Sequence, residues 1–242
     1  NAFFYPAPYN TVCLGSATYS GKTIYASDDA DVVLHEFGHA MSHNLSNTNS
    51  STVFYSTFIE SGAVDEALAD YWAITNTNNP NLSQWYLGVL DANAGNGSAV
   101  YQRVATPQSN IYPQSMVGEI HFDSRVLSEA LWAIRAALGP VKTDQLVVRM
   151  LTLLPVTLRY KEAVAALQSA AVALNFSAAD KATINTALSS AGLIRADSAA
   201  GVTLHANGVN GHKDVYIIDD HSQTYLTAGN CNGVLDINET AM

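Results

Sequence analysis

The stretch Asp31-Val32-Val33-Leu34-His35-Glu36-Phe37-Gly38-His39 leaves this chain few choices. Val32, Val33, Leu34 and Phe37 make it apolar enough for a buried helix, and Asp28 or Asp29 stands where an N-cap belongs. Residues four apart share a helix face, so His35 and His39 can turn both imidazoles toward one Zn²⁺. Glu36 then sits beside the open side of the metal, where it can take a proton from a metal-activated water. A His pair at this spacing also occurs as an ordinary helix face. A buried helix, however, must give two imidazoles and a carboxylate partners, because unpaired buried polar groups are costly. The helix is expected from about Ala30 to His43. His43 continues the series one turn further on, beyond reach of the same metal, and reads as structural or surface.

A second stretch, Glu60-Ser61-Gly62-Ala63-Val64-Asp65-Glu66-Ala67-Leu68-Ala69-Asp70-Tyr71-Trp72, repeats apolar residues at helical spacing. Glu66 and Asp70 fall on one face and repel unless something positive sits nearby. A metal site satisfies both: Glu66 as third protein ligand, Asp70 as acceptor fixing the tautomer of a liganding imidazole. The alternative is a solvated acidic face. Metzincins need Gly and His at set positions after the second histidine, where this chain has Ser42 and Leu45. The third ligand must therefore come from elsewhere, and Glu66 is the natural candidate.

Hydrophobic residues make up 48% of the 242 and charged residues only 13%, which marks a folded chain rather than a disordered one. A net charge of -10 argues against nucleic acid as partner, since phosphate binding needs clustered Lys and Arg. No charge-free apolar run is long enough to span a membrane; the longest, Leu146 to Leu158, is broken by Arg149 and Pro155. Scarce Lys and Arg with abundant Asn, Ser and Thr fit a secreted, bacterial-type protein. The chain opens on Asn1, as a processed product would. Cys13 and Cys231 would form one disulfide in an exported protein, tying the start of the chain to its tail. Two free thiols, or one thiolate on the metal, are the alternatives.

Asn1 to Tyr5 reads as an aromatic edge strand ended by Pro6 and Pro8, with backbone groups able to pair an extended peptide. Val12 to Ile24 reads as strand and turn, and residues 74–117 as loop-rich. His121 stands just before a strong helix, capped by Asp123 or Ser124 and ended by Gly139-Pro140. Further helices are expected over Thr143 to Leu154, over Tyr160 to Leu174, and from the capping-box start Ser177-Ala178-Ala179-Asp180 to near Gly192.

In order, these pieces resemble the catalytic half of a thermolysin-like gluzincin metalloprotease. Asn1-Ala2-Phe3 resembles its substrate-holding edge strand. Asp31 to Ala40 and Glu60 to Asp70 resemble its two zinc helices, and Ile120-His121-Phe122-Asp123-Ser124 the segment with its transition-state histidine. The likeness covers roughly residues 1 to 193. It implies a mainly α (α+β) fold: zincin active-site helices, a small N-terminal β segment and a C-terminal helical bundle lobe. It implies His35, His39 and Glu66 as zinc ligands, Glu36 as general base, Asp70 behind the ligands, and His121 as oxyanion donor. Arg103 corresponds to the arginine near the substrate carbonyl, and Val32 to a wall of the pocket after the scissile bond.

The chain also departs from the family. Most of the N-terminal β-rich lobe is absent. Tyr55 is the nearest candidate for a second oxyanion donor. Met116 stands where the family orients its catalytic histidine with an Asp, leaving Glu119 or Asp123 to substitute. Asp31 matches one calcium ligand, but the acidic residues downstream do not follow. The expected organisation is a catalytic domain over residues 1–194 (edge strand and first zinc helix to 45, helical lobe from 46) and an extension over 195–242. Asp214 to Asp219 reads as a strand, and the run from Asn230 to Glu239 fits the later positions of an EF-type Ca²⁺ loop. The expected activity is secreted zinc endopeptidase, acting on peptides or proteins, with its own cleaved N-terminal segment as a further partner. The alternative is a zinc-retaining module whose hydrolysis is lost, or self-inhibited by the tail.

Overall fold

The computed structural model describes residues 2–19, 21–46, 54, 59–86, 103–194, 203–209 and 212–218. The chain divides into two compact units: residues 1–116 with 120–194, and residues 117–119 with 195–242.

The first unit opens on two antiparallel hairpins. β1 (Ala2–Tyr5) pairs with β2 (Thr11–Leu14), with Ala2 opposite Leu14 and Tyr5 opposite Thr11. β3 (Ser16–Tyr19) pairs with β4 (Lys22–Tyr25). Strand alternation turns Phe4 inward and leaves Phe3 and Tyr5 exposed, their rings edge to face at 4.9 Å. The sheet holds only these two strands, so among the described residues the other edge of β1 is unpaired.

Helix α1 (Ala30–Leu45) follows, with Asp29 as the cap: its Oδ1 accepts the Asp31 N–H at 2.9 Å. α2 (Ile59–Thr77) crosses α1 and is buried around nearly its whole circumference from Glu60 to Thr75. Burial on every side explains its lack of an apolar stripe and its run past the expected Trp72. It also excludes the solvated acidic face, because Glu60, Asp65, Glu66 and Asp70 are all buried.

Gly38 sets the distance between the two helices. A Cβ there would lie 2.9 Å from both Cα and O of Ala69 and 3.1 Å from Cβ of Trp72. Two of these atoms are backbone, so the helices themselves would have to part. Gly38→Ala should gain about 1 kcal/mol in helix propensity but lose more to overpacking, which typically costs ~1–3 kcal/mol. A lowered melting temperature is the expected result; a raised one would show that the helices have slack at this crossing.

A two-residue ladder, β5 (Asn81–Leu82) with β6 (Arg103–Val104), sets Leu82 opposite Arg103. The short α3 (Ile120–Asp123) leads into α4 (Arg125–Leu138), and α5 (Pro140–Leu151), α6 (Tyr160–Ala173) and α7 (Ala178–Ser190) complete the lobe. Val126, Leu127, Ala130, Leu131 and Ile134 of α4 are buried, as the periodicity predicts. Gly139, at φ 84°, ends α4, but Pro140 then starts α5 at a position where its missing N–H costs nothing, earlier than the expected Thr143. Ser177 and Asp180 form the expected capping box. One core joins α2, α4, α5, α6 and α7, with Tyr71, Tyr160 and Phe54 its largest fully buried side chains. The fold is thus mainly α with small N-terminal strands.

In the second unit, β7 (Thr203–Val209) and β8 (His212–Ile218) form an antiparallel hairpin, with Thr203 opposite Ile218. The expected strand over Asp214 to Asp219 overlaps β8 from Asp214 to Ile218, and Asp219 lies outside the described residues.

Candidate metal centre and active-site cleft

α1 and α2 bring His35, His39 and Glu66 together. Nε2 of His35 lies 3.2 Å from Nε2 of His39 and 3.3 Å from Oε2 of Glu66, and Nε2 of His39 lies 3.6 Å from Oε1 of Glu66. All three residues are buried. Each imidazole turns its other nitrogen to a buried carboxylate: Nδ1 of His35 is 2.9 Å from Oδ1 of Asp70, and Nδ1 of His39 is 3.1 Å from Oδ2 of Asp65. With N–H groups at both Nδ1 positions, the two Nε2 atoms face one another across a space that calls for positive charge. Four ligands at zinc bond lengths stand roughly 3.3 Å apart, so these separations suit such an ion. Glu66 Oε2 is buried and without a hydrogen-bond partner among the described residues, and the same ion would satisfy it. The donor set therefore fits Zn²⁺.

The pKa shifts report the same demand for a cation. Burial opposes charge on His35 and His39, yet the carboxylates around them win and raise both, His39 to about 10. Burial likewise pushes Glu66 up, but the two imidazoles outweigh it and hold it at about 2. Asp65 and Asp70 end well below the usual carboxylate range: His39 and His43 outweigh burial for the first, Arg103 and His35 for the second. Glu36 goes the other way; burial raises its carboxyl although both imidazoles oppose.

Arg103 grips Asp70 through two bonds, Nε to Oδ2 and Nη2 to Oδ1, both 2.6 Å. Its Nη2 also lies 3.4 Å from Nδ1 of His35 and 3.6 Å from Oε2 of Glu66. The His35 proton belongs to Asp70, so the Arg103–His35 approach is two donors side by side rather than a bond. Arg103 is thus buried behind the ligand set, on Asp70.

A cleft of about 440 Å³ opens on this cluster, lined by Ala2, Phe3, Phe4, Phe54, Ile59, Gly62 and Ile120, with His35, Glu36, His39, Asp65, Glu66 and His121 contributing polar atoms. His121 sits on α3 with its side chain half exposed, and its Nε2 is 3.4 Å from Oε1 of Glu66. Ser124 occupies the N-cap position of α4 but makes no side-chain cap there, contrary to expectation. Its Oγ instead donates to the carbonyl of His121 at 2.8 Å, closing the turn that carries the imidazole. Met116, where an acidic residue would have oriented His121, is packed into the core.

The remaining expected site residues scatter. Ala2 and Phe3 line the cleft; Val32 is half-buried and does not belong to its described lining. Asn1, Tyr55, Cys231 and the calcium-like run at 228–239 lie outside the described residues. Cys13 is half-buried on β2 and has no disulfide partner among the described residues. Asp31, matched to a calcium ligand, accepts the backbone N–H of Ser83 at 3.0 Å. The described residues lend calcium no support. No helix among them is long and apolar enough to cross a membrane.

One residue was missed: Asp65 had no expected role. His43 was read as structural or surface, and the structure agrees with the first. His43 is buried, and its Nε2 lies 3.0 Å from the Asp65 oxygen that also meets His39. The available signal was Asp65 beside Glu66 and His43 four residues after His39.

No curated protein matches the chain. The sequence model of the family described as thermolysin metallopeptidase, alpha-helical domain, matches residues 52–193. That span holds α2 to α7, and with them Glu66, Asp70, Arg103 and His121, in well over half of the 242 residues. The chain belongs to the thermolysin metallopeptidase family.

Proposed function

We propose that this metallopeptidase is a secreted zinc endopeptidase. One observation carries the reading: His35, His39 and Glu66 converge at 3.2–3.6 Å beside Glu36, at the floor of an open cleft. His35, His39 and Glu66 would hold the zinc. When bound, the ion supplies a Lewis acid that polarises the scissile carbonyl and makes water a nucleophile near neutral pH.

The chain's own residues do the rest. The edge of β1 away from β2, unpaired among the described residues, offers backbone N–H and C=O groups to an extended peptide, which lies antiparallel to Ala2 and Phe3. Glu36 takes the proton of the attacking water and delivers it to the leaving amine. Its upward-shifted carboxyl suits a group that must both accept and return a proton. His121 donates to the oxyanion from the cleft wall, with Tyr55 as the second donor. Asp70, held by Arg103, keeps His35 in the tautomer that presents Nε2. The catalytic unit runs over residues 1–194, with 195–242 as an extension. A non-hydrolytic zinc module would have no use for Glu36 in the cleft.

Casein cleavage by the purified protein should be lost on adding 1,10-phenanthroline and regained with stoichiometric Zn²⁺. Cleavage indifferent to the chelator would end this reading.

A further inference from the structure

α2 buries four carboxylates, and three are accounted for. Glu60 accepts the Tyr160 N–H at 3.0 Å and the Tyr112 hydroxyl at 2.9 Å. Glu66 belongs to the donor set, and Asp70 is neutralised by Arg103. Asp65 is buried as deeply as these and lies one residue from a ligand, and beyond meeting Nδ1 of His39 it has no role in the proposed reaction.

Its surroundings repeat those of Asp70 with different residues. On one side of the centre the order is His35 Nδ1, Asp70, Arg103. On the other it is His39 Nδ1, Asp65, His43. One oxygen, Oδ2 of Asp65, takes both contacts, at 3.1 Å from His39 and 3.0 Å from His43. A carboxylate oxygen accepts, and both ring nitrogens face this one as donors. One acceptor shared by two donors at such distances is a hydrogen-bonded chain. His43 is fixed in turn: the Phe4 ring meets it edge-on at 5.4 Å, and Phe54 lies tilted over it at 4.7 Å. Phe4 belongs to β1, which lines the cleft. The chain from His39 therefore runs through Asp65 and His43 to the strand that would hold substrate.

We propose that Asp65 and His43 are positioning residues for His39, fixing the imidazole so that Nε2 faces the metal position. Asp65 receives the Nδ1 proton of His39. His43 holds the Asp65 oxygen in place and gives that buried carboxylate a second donor. Asp65 can then neither rotate away nor turn toward the metal itself. The inference rests on His39 being a zinc ligand.

The experiment measures Zn²⁺ affinity of the full chain by competition with a chromogenic chelator, and the visible spectrum of the Co²⁺-loaded protein. Each variant is first checked as folded by circular dichroism. Removing a residue that orients a metal ligand typically costs about 10–100-fold in affinity. Asp65→Ala should show such a loss and an altered Co²⁺ spectrum. Asp65→Asn, which keeps an oxygen acceptor at the same place, should recover most of both. His43→Gln should show a smaller loss, and none when added to Asp65→Ala, because the chain is already cut. Wild-type affinity and an unchanged spectrum in a folded Asp65→Ala variant would overturn the proposal. So would a His43 effect that adds in full to that of Asp65→Ala. Two zinc ions per wild-type chain by native mass spectrometry, falling to one in His43→Gln, would overturn it too, by making Asp65 and His43 ligands of a second ion. A wild-type chain binding no zinc would instead remove the metal-centre reading itself.

Discussion

Glu36→Gln is expected to lower kcat/KM for peptide cleavage by about 10²–10⁴-fold, the usual worth of a positioned general base. The protein should remain folded and keep its zinc. Gln has the shape of Glu and retains an oxygen acceptor, so the cleft stays filled, but the amide cannot carry a proton from water to amine. Glu36 is buried, and burial raises its carboxyl. Under the proposed mechanism that burial serves proton transfer. The result to look for is therefore a split between activity and metal content, read from casein or quenched-peptide hydrolysis beside zinc analysis. A Gln variant that cleaves at the wild-type rate would move the base elsewhere. One that loses its zinc would make Glu36 a part of the metal centre.

The largest effect on stability is expected from Arg103→Ala. The Arg103–Asp70 pair is buried at both ends, with two bonds of 2.6 Å. Without Arg103, Asp70 stays buried and charged with the His35 N–H as its remaining partner, and breaking such a buried pair costs roughly 3–5 kcal/mol. For a chain of this size each kcal/mol shifts the melting temperature by about 2–4 °C, so a fall on the order of 10 °C should appear in calorimetry. Adding Asp70→Asn to the same chain tests the cause. If the orphaned charge carries the cost, the double variant recovers a good part of the loss; if lost packing carries it, it recovers none. The amide keeps an oxygen acceptor for the His35 Nδ1 proton in that double variant, so most of the zinc affinity should survive alongside the recovery.

The legibility of the site differed from residue to residue. His35, Glu36 and His39 could be placed because one helix supplies all three and 3.6 residues per turn fixes their faces. Glu66 and Asp70 could be paired by the same rule. Their common orientation toward α1 was the simplest way to satisfy two carboxylates with no positive neighbour in their own helix. Asp65 escaped because it sits about 100° around α2 from Glu66, on what looked like another face. Only burial of the whole circumference makes that face matter. His43 was judged by its reach to the metal, whereas its partner is a carboxylate on the facing helix. Arg103 became a guanidinium clamped on Asp70 only through the β5–β6 pairing, which brings in a residue from far along the chain. Pro140 was read as a stop and serves also as a start, since a helix break and a helix beginning ask the same thing of proline.

By itself the sequence determined the two central helices, the four-helix lobe, the candidate ligands on the faces of the central helices and the mainly α class. Those depend on periodicity and capping, which are local. The tertiary structure alone decided how near the helices come, through Gly38 against Ala69, and which carboxylate each imidazole meets. It also decided that α2 is buried on all sides, so that each of its four acids must find a partner. Those are distances between residues far apart in the chain, and no local rule of sequence contains them.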